Sequence, residues 1–300
     1  MDLANAQEKP PILAKDDILS LFNAAPSKVY AARELAKILA EHRRTWHLPE
    51  STKSADFVSF LTKEGELRTR ELRSTYGGTI TRYTWGKASP YEAAVSIKPN
   101  AYLSHGTAAL LHGLLKSDRT IYLNAEQSKK LPFNGALTQE GIDRAFANNQ
   151  RTSQLVYAFG RSSIIQLAGK NTNRLGVEVM PIPDTAGIAV TNLERTLVDI
   201  AVRPVYAGGP AQVLKVYRAA KDRVSAERLL ATLKALDYAY PYHQSIGFLM
   251  EKAGYPESCY EPFRALGLAH DFYLTHRMEE TAYSSEWRLR YPVSLLTRHG

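Results

Sequence analysis

Basic and hydroxyl side chains are concentrated between residues 53 and 82. The members of this set are Lys53, Ser59, Thr62, Lys63, Arg68, Arg70, Arg73 and Arg82. Lysine and arginine neutralise phosphate groups, and serine and threonine hydroxyls form hydrogen bonds with phosphates or with base edges. The combination favours contact with a nucleic-acid backbone. The alternative is an ordinary solvated face, since exposed lysines are common on helices.

Three helices are predicted in the N-terminal part, and the third carries the lysines, the serine and the threonine of this set. Apolar residues recur at three- and four-residue spacing over 16–25, 31–43 and 54–64, which is typical of amphipathic helices. Ser54 is expected to cap the third helix, and Gly65 is expected to end it in the left-handed conformation. The residues expected to face the core from this helix are Phe57, Phe60 and Leu61.

A β-hairpin is predicted to carry the arginines. Its strands would span 67–74 and 79–85, because the intervening Tyr76-Gly77-Gly78 suits a turn that needs positive φ. The order helix, helix, helix, hairpin is typical of a winged helix-turn-helix, whose third helix can enter the major groove of DNA. Segment 44–53 is long for the turn between the last two helices, which indicates an insertion or a displaced helix boundary.

The length of 300 residues favours two domains. We expect a disordered lead-in at 1–14, a winged helix-turn-helix domain at 15–90, and a second domain at 91–300. The net charge is +8, and residues 15–90 contain 13 lysines and arginines against nine aspartates and glutamates. Half of the excess positive charge is therefore predicted to lie in the first domain, which favours a polyanionic partner.

The second domain is predicted to be mixed, so that the fold class of the chain is α+β. Strands are expected at 121–123, 155–159, 163–167, 176–180 and 188–191, with weaker strand character and no clear partner at 272–274 and 287–289. Helices are expected at 104–115, 141–147, 193–202, 211–223, 226–236 and 243–253, with Ser104, Asn192 and Ser225 as caps. Residues 88–99 are expected to form a connector.

Cys259 is the single cysteine of the chain. An intramolecular disulfide is therefore excluded, and a reducing compartment is the natural expectation. The N-terminal residues 1–11 lack the apolar core of a signal peptide, and no run approaches the ~18 apolar residues of a membrane span. The sequence predicts a soluble cytoplasmic protein.

The sequence offers few candidates for catalysis. His105 and His112 are seven residues apart, whereas a helical metal pair needs a spacing of four, so packing roles are expected for both. No phosphate-binding glycine loop and no nucleophile elbow is present. A Mg²⁺-dependent nuclease stays open as an alternative, but neither Glu178 nor Asp184 begins a recognisable carboxylate motif. We expect no enzyme activity, no metal and no cofactor.

Glu194, Arg195 and Asp199 form the most distinctive polar set of the second domain. Arg195 and Asp199 are four residues apart on the predicted helix, and Glu194 lies in its first turn, where a negative charge suits the helix dipole. Such a pair is expected to stabilise a helix by only ~0.3–0.5 kcal/mol.

Two motifs, together with the N-terminal unit, resemble a known family. They are Y-L-S-H-G-T-A-A-L-L-H-G-L at 102–114 and V-T-N-L-E-R-T-L-V-D-I-A-V-R-P-V-Y-A-G-G at 190–209. Both are similar in residue type and order to the S-x-x-x-A-L-x-x-H-G-L and E-R-T-L-x-D patterns of AbiEi antitoxins, which belong to type IV toxin–antitoxin (abortive infection) systems. The three features span most of residues 16–210.

The resemblance implies a two-domain, non-enzymatic protein. Its N-terminal domain would bind inverted repeats of double-stranded DNA in its own promoter, as a monomer or a dimer, and repress transcription. Its C-terminal domain would counter a partner toxin of the nucleotidyltransferase type. The alternatives are the Mg²⁺-dependent nuclease and a protein-interaction module whose winged helix binds another protein.

Overall fold

The computed structural model describes residues 14–116, 119–129 and 135–296. The predicted lead-in at 1–14 lies outside the described residues except for Ala14. Over the described ranges, eleven α-helices and three sheets make up an α+β fold, which confirms the predicted fold class. None of the described helices has the length and apolar character needed to span a membrane.

The N-terminal unit consists of three helices and a three-stranded antiparallel sheet. Its elements are α1 (Lys15–Ala24), β1 (Val29–Tyr30), α2 (Ala32–His42), α3 (Ser54–Glu64), β2 (Leu67–Arg73) and β3 (Thr79–Trp85). The strand order is β1-β3-β2, so that β2 is an edge strand. All three helices and both hairpin strands lie within two residues of their predicted bounds. The short strand β1 carries no local signal and was not predicted.

The core of this unit is aromatic. Phe22 stacks on Trp85 with ring centroids 5.0 Å apart, and Phe57 is tilted against the same Phe22 ring at 6.2 Å. Leu35 of α2 and Leu61 of α3 are fully buried beside them. Of the three residues predicted to face the core from α3, Phe57 and Leu61 are buried and Phe60 is partly buried, so the periodicity of the sequence identified the inward side of this helix.

Gly65 ends α3, but not in the way that the sequence predicted. Its backbone is extended, with φ −128° and ψ −159°, and the expected left-handed conformation is wrong. A Cβ at this position would lie 2.4 Å from Cη2 of Trp85 and 2.9 Å from Cδ2 of Leu19. Glycine is therefore required by close packing. Ser54 is likewise the first residue of the helix and not its cap, which is Lys53.

The long connection between α2 and α3 is held by side-chain contacts, and the flanking ends of the two helices lie within one residue of the predicted ones. Trp46 is buried within it and packs against His42 and Phe57, with ring centroids 4.8 and 5.8 Å away. The guanidinium of Arg43 donates to the carbonyls of Pro49, Glu50 and Thr52. One apolar anchor and one arginine thus hold the segment in place.

The β2–β3 hairpin packs against the remainder of the chain through one of its faces. Leu72 pairs with Ile80 across the hairpin, and both pack with Tyr157 in the core of the central sheet. Leu67 lies on the opposite face and belongs to the core of the N-terminal unit. The hairpin is therefore shared between two cores, which explains why Leu72 interrupts the polar register of the strand.

A six-stranded mixed sheet forms the centre of the molecule. Its strands are β4 (Tyr102–Leu103), β5 (Thr120–Asn124), β6 (Val156–Phe159), β7 (Ser162–Leu167), β8 (Val177–Met180) and β9 (Ile188–Thr191). Their order is β6-β7-β5-β4-β9-β8, with β5 parallel to β7 and β4 parallel to β9. Helices α4 (Pro90–Ser96) and α5 (His105–Leu111) pack against this sheet, whereas α6 (Gln139–Ala147) places Ile142 and Phe146 in the core of the C-terminal part. The region predicted as a connector at 88–99 is thus wrong in part, since Ser89 caps α4.

The last third of the chain is helical and ends in a small sheet. The helices are α7 (Leu193–Val202), α8 (Pro210–Ala220), α9 (Ala226–Leu236), α10 (Tyr242–Lys252) and α11 (Glu257–Arg264). The strands are β10 (Phe272–Tyr273), β11 (Thr281–Ser284) and β12 (Leu289–Pro292). The tail strand predicted at 272–274 is β10, and the one predicted at 287–289 is displaced to β12. Strand β12 pairs with β10 and with β11, which was not predicted. Helix α11 was not predicted, because it is short and contains Pro262.

Candidate functional site

The outer face of α3 carries the predicted nucleic-acid contacts. Lys53, Ser59, Thr62 and Lys63 are all exposed, whereas Phe57 and Leu61 on the other side of the helix are buried. The hydroxyl of Thr62 donates to the carbonyl of Val58 at 2.8 Å, so that its oxygen is held close to the helix surface. The face is open to an incoming partner and contains two lysines, of which Lys63 lies 3.7 Å from Oε1 of Glu64.

Arg68 and Arg70 are exposed on the edge strand β2. Arg73 is also exposed, but it lies on the opposite face of the strand and forms an ion pair with Glu71 at 2.8 Å. Side chains of a strand alternate between its two faces, so positions 68 and 70 share one face and position 73 belongs to the other. The structure therefore brings two of the three strand arginines together.

Arg82 is the predicted site residue with the least exposed surface. It stands opposite Arg70 in the hairpin, yet it is half-buried and donates from Nε to Oγ of Ser96 at 3.1 Å and to the carbonyl of the same serine. Burial lowers the pKa of its guanidinium. Arg82 thus fixes the hairpin against α4 and is not free on the surface with the other arginines.

The turn of the hairpin is attached to the central sheet. The backbone amide of Thr75 donates to the carbonyl of Val156 at 3.0 Å, and the amide of Val156 donates to Oγ1 of Thr75 at 3.3 Å. Ser74 forms an antiparallel bridge with Tyr157. Tyr76 remains 72% exposed at the tip. The hairpin is therefore held by contacts on both sides of its turn.

A second polar site, which the sequence analysis did not predict, is a pocket of about 470 Å³ in the C-terminal part. It lies beyond the carboxyl ends of the parallel strands β5 and β7, which finish at Asn124 and Leu167. Four tyrosines, Tyr206, Tyr238, Tyr240 and Tyr242, contribute to its wall. We call it the tyrosine pocket.

Arg195 and Asp199 lie at the inner wall of the tyrosine pocket. Nε of Arg195 donates to Oδ1 of Asp199 at 2.8 Å, and each side chain is only 4% exposed. The sequence predicted that this pair would stabilise the helix only weakly, as an exposed ion pair does. That prediction is wrong, because other elements surround α7 on nearly all sides. Glu194 is also buried and accepts from Nη2 of Arg228 at 2.8 Å.

The remaining hydrogen-bonding groups of Arg195 extend inward. Nη1 donates to the carbonyl of Leu175 at 2.8 Å and to Oγ1 of Thr172 at 3.2 Å. Burial by itself would lower the pKa of Arg195, but the carboxylate of Asp199 raises it overall. Thr172 in turn donates to Glu126. Burial opposes ionisation of Glu126, yet the hydrogen bonds from Thr172 and Tyr102 lower the pKa of its carboxyl.

Asp199 retains one unsatisfied oxygen. Oδ2 is buried and has no hydrogen-bond partner among the residues that the structure describes. His105 lines the same pocket, with Nδ1 2.8 Å from Oγ of Ser104 and its ring nearly perpendicular to that of Tyr206. Burial lowers the pKa of His105 to about 4, so that its ring is neutral at pH 7. The pocket therefore combines a buried acceptor with a neutral imidazole.

The two histidines that were considered as a metal pair have separate hydrogen-bonding roles. Nε2 of His112 lies 2.8 Å from the carbonyl of Thr191, while His105 contacts Ser104. Within the described ranges, no group of three or more histidine, cysteine, aspartate or glutamate side chains is arranged to hold a metal ion. Glu178, one of the two acids considered for a nuclease, accepts from Nδ2 of Asn192 at 3.3 Å.

Two signals in the sequence could have indicated the tyrosine pocket. Helix α7 is apolar on almost every side apart from Glu194, Arg195 and Asp199, and a helix that is apolar all round is normally buried. Charged residues in such a helix must be paired or directed at a site. The run Tyr238-Ala239-Tyr240-Pro241-Tyr242 is a further local signal, but its closeness to α7 depends on the tertiary structure.

No family model and no curated protein matches this chain. Among solved structures, the chain is similar to the crystal structure of the RV2827C protein from Mycobacterium tuberculosis. The TM-score is 0.55 and the sequence identity is 18%, and the similarity covers 95% of this chain and 93% of the other. At this identity the two proteins share a fold, and the similarity carries no information on function.

Proposed function

We propose that this protein is a sequence-specific, double-stranded-DNA-binding transcriptional repressor without enzyme activity, which acts in the cytoplasm on its own promoter. Residues 15–90 would form a winged helix-turn-helix, with α3 as the recognition helix and the β2–β3 hairpin as the wing. The proposal is supported by the order of elements in the N-terminal unit and by its strand order β1-β3-β2.

The observation that carries the proposal is that α3 has one buried apolar side and one exposed polar side. One side is anchored by Phe57 and Leu61, while Ser59, Thr62 and Lys63 face outward. A recognition helix needs a rigid inner face and short polar side chains on the outer face that reach base edges. In this proposal Lys53 and Lys63 contact phosphates, and Ser59 and Thr62 lie closest to the bases.

The wing contributes phosphate contacts in this proposal. Arg68 and Arg70 are exposed on one face of the edge strand β2, and Arg73 is exposed on the other, so the two faces would meet different parts of the duplex backbone. Arg82 is left out of the proposed contacts, because its guanidinium already binds Ser96. Contacts of this kind increase affinity without selecting a sequence.

We further propose an antitoxin role for residues 91–300, directed at a toxin of the nucleotidyltransferase type. This part of the proposal rests on the resemblance of segments 102–114 and 190–209 to AbiEi antitoxins. In the structure, Ser104, Arg195 and Asp199 of these motifs are buried. They would therefore shape the domain, and a toxin would bind to the exposed surface around them.

Fluorescence anisotropy tests the DNA-binding proposal. The full chain is titrated with the duplex upstream of its own start codon and with a random duplex of equal length, over a series of salt concentrations. We expect tighter binding to the upstream duplex, with one or two copies per pair of inverted repeats. Equal and weak binding to both duplexes would mean that the positive charge is only a general polyanion surface.

Variants separate the two classes of interaction. Ser59→Ala with Thr62→Ala is expected to reduce the difference between the two duplexes. Replacing Arg68, Arg70 and Arg73 by alanine is expected to weaken binding to both and to flatten the salt slope by up to ~0.9 for each phosphate that the protein no longer neutralises. Arg144 is an exposed arginine on α6, so Arg144→Ala is the matched control and should leave both quantities unchanged.

The nuclease alternative has its own test. Plasmid DNA incubated with the protein and Mg²⁺ stays intact if the protein is a repressor.

A further inference from the structure

We infer that the tyrosine pocket binds a nucleotide, with the base between the tyrosines and directed at Asp199 and the phosphate at Arg151 and Arg203. This inference is independent of DNA binding by the N-terminal unit. It assigns a small-molecule site to the C-terminal part, with a ligand that has a planar ring, an N–H donor and a negatively charged end.

The inner end of the pocket offers a hydrogen-bond acceptor to a ligand. Oδ2 of Asp199 is buried without a hydrogen-bond partner among the described residues, while Oδ1 is held by Arg195. A buried carboxylate oxygen without a partner is costly, and such groups are rare unless a ligand or water satisfies them. The amino or imino N–H of a nucleobase supplies a donor of this kind at the edge of a planar ring.

The middle of the pocket suits a flat aromatic group. Tyr238 and Tyr240 are both partly exposed on the segment that follows α9, and the ring of Tyr206 is nearly perpendicular to that of His105, with ring centroids 5.3 Å apart. Lys170 fixes this segment, since its ammonium group donates to the carbonyls of Leu236 and Asp237. Nucleobases stack on tyrosine rings with little dependence on base identity.

The mouth of the pocket is positively charged. Arg203 is exposed, lies 6.0 Å from the ring of Tyr206, and uses Nη1 to bind the carbonyl of Arg151 at 2.9 Å. The side chain of Arg151 is exposed and makes no hydrogen bond to any described residue. Two guanidinium groups at the mouth can bind a phosphate through several charge-assisted hydrogen bonds.

The position and size of the pocket agree with this ligand. It lies beyond the carboxyl ends of the parallel strands β5 and β7, where open α/β sheets commonly bind ligands. Its volume of about 470 Å³ falls in the ordinary range for small-molecule sites. A simple anion would leave the tyrosines and Asp199 without a partner, and an uncharged aromatic molecule would leave the arginines unused.

Isothermal titration calorimetry of the full chain, purified free of nucleic acid, provides the test. The probes are the four ribonucleoside monophosphates, the corresponding nucleosides, and ribose 5-phosphate. We expect at least one monophosphate to bind more tightly than both its nucleoside and ribose 5-phosphate, because it alone occupies both ends of the pocket. A failure of all four to bind at millimolar concentration, or equal binding of ribose 5-phosphate, would overturn the inference.

The double variant Arg151→Ala with Arg203→Ala is expected to weaken monophosphate binding about tenfold or more, the effect of removing one or more charge-assisted hydrogen bonds. Nucleoside binding should change much less. Arg144→Ala is the control outside the pocket, and Arg68→Ala with Arg70→Ala is the control for adventitious binding to the N-terminal unit; both should bind as the wild type does. Unchanged affinity in the pocket variant, or weaker binding in the N-terminal variant, contradicts the inference.

Asp199→Asn tests the inner end. Asparagine can keep the acceptor for Nε of Arg195 while it presents an N–H donor in place of Oδ2, so the ranking of the four bases is expected to change. An identical ranking with identical affinities would contradict a contact between the base and Asp199. If this variant does not fold, nucleotide binding is still tested by the Arg151→Ala, Arg203→Ala variant and by the comparison of monophosphates with nucleosides and ribose 5-phosphate.

Discussion

Arg195 and Asp199 form an ion pair at 2.8 Å in which both side chains are almost completely removed from solvent. The pair is tied to Thr172 and Leu175 through the second end of the guanidinium. Desolvation makes each charge dependent on the other, because an unpaired buried charge is far more costly than an exposed one. The pair therefore differs in kind from the surface pairs with the same helical spacing.

Arg195→Met is expected to reduce the free energy of unfolding by about 3–5 kcal/mol, because Asp199 would stay buried without its partner. Urea denaturation at pH 7 measures the change. Lys37→Met is the matched control, since Lys37 and Glu41 have the same spacing at 3.6 Å but are 74% and 53% exposed. The control should be destabilised by no more than about 0.5 kcal/mol. Similar destabilisation of the two variants would contradict the burial of the Arg195–Asp199 pair.

Gly65 is expected to tolerate neither alanine nor asparagine. Either side chain would place Cβ 2.4 Å from the Trp85 ring, and overpacking of this kind typically costs about 1–3 kcal/mol. Asparagine is informative because it accepts the left-handed conformation well. A stable Gly65→Asn variant would mean that the residue ends α3 as the sequence predicted. Gly78→Ala, where the nearest atom is Oγ of Ser74 at 3.3 Å, is the milder comparison in thermal unfolding.

His105 makes the stability of the protein dependent on pH. Burial holds its folded-state pKa at about 4, below the ordinary value of 6.5, so that protonation favours the unfolded state. Above pH 6.5 His105 is neutral in both states and does not lower the free energy of unfolding. As the pH falls from 6.5 towards 4, protonation of His105 in the unfolded state lowers the free energy of unfolding by up to about 3 kcal/mol.

His105→Asn removes this dependence. Asparagine is suitable because His105 has a φ of +52°, and asparagine is among the residues that adopt positive φ most readily. The difference in unfolding free energy between the wild type and the variant, measured by urea denaturation from pH 7 to pH 4, should shift in favour of the variant. A constant difference across this range would show that His105 does not titrate as a buried neutral group.

Leu72→Ala is expected to cost about 2–5 kcal/mol, because Leu72 is fully buried against the central sheet and a cavity would remain. For the same reason a fragment of residues 15–90 should be less stable than the N-terminal unit within the full chain, since it exposes Leu72 and Ile80. Leu72→Ser in the fragment should then change its stability little. If Leu72→Ser strongly destabilised the fragment, Leu72 would belong to the core of the N-terminal unit itself.

Local sequence signals predicted most of the secondary structure. Asn192 and Ser225 cap α7 and α9 as predicted, and both helices have their predicted bounds, because capping and apolar periodicity act within a few residues. Ser89-Pro90 is a signal of the same type, and Ser89 caps α4 where a connector was predicted. The exposed α3 residues were also predictable, since the period of a helix determines which side chains lie opposite its apolar face.

The amino-acid sequence by itself determined the helices, the hairpin, the apolar faces and the α+β class, because each depends on residues close together in the chain. The tertiary structure alone decided which side chains are desolvated: it buries Arg195 with Asp199, directs Arg82 to Ser96, and places Tyr238 across from α7. These outcomes depend on contacts between residues far apart in the chain, since the cost of a charge or the freedom of an arginine depends on what packs around it.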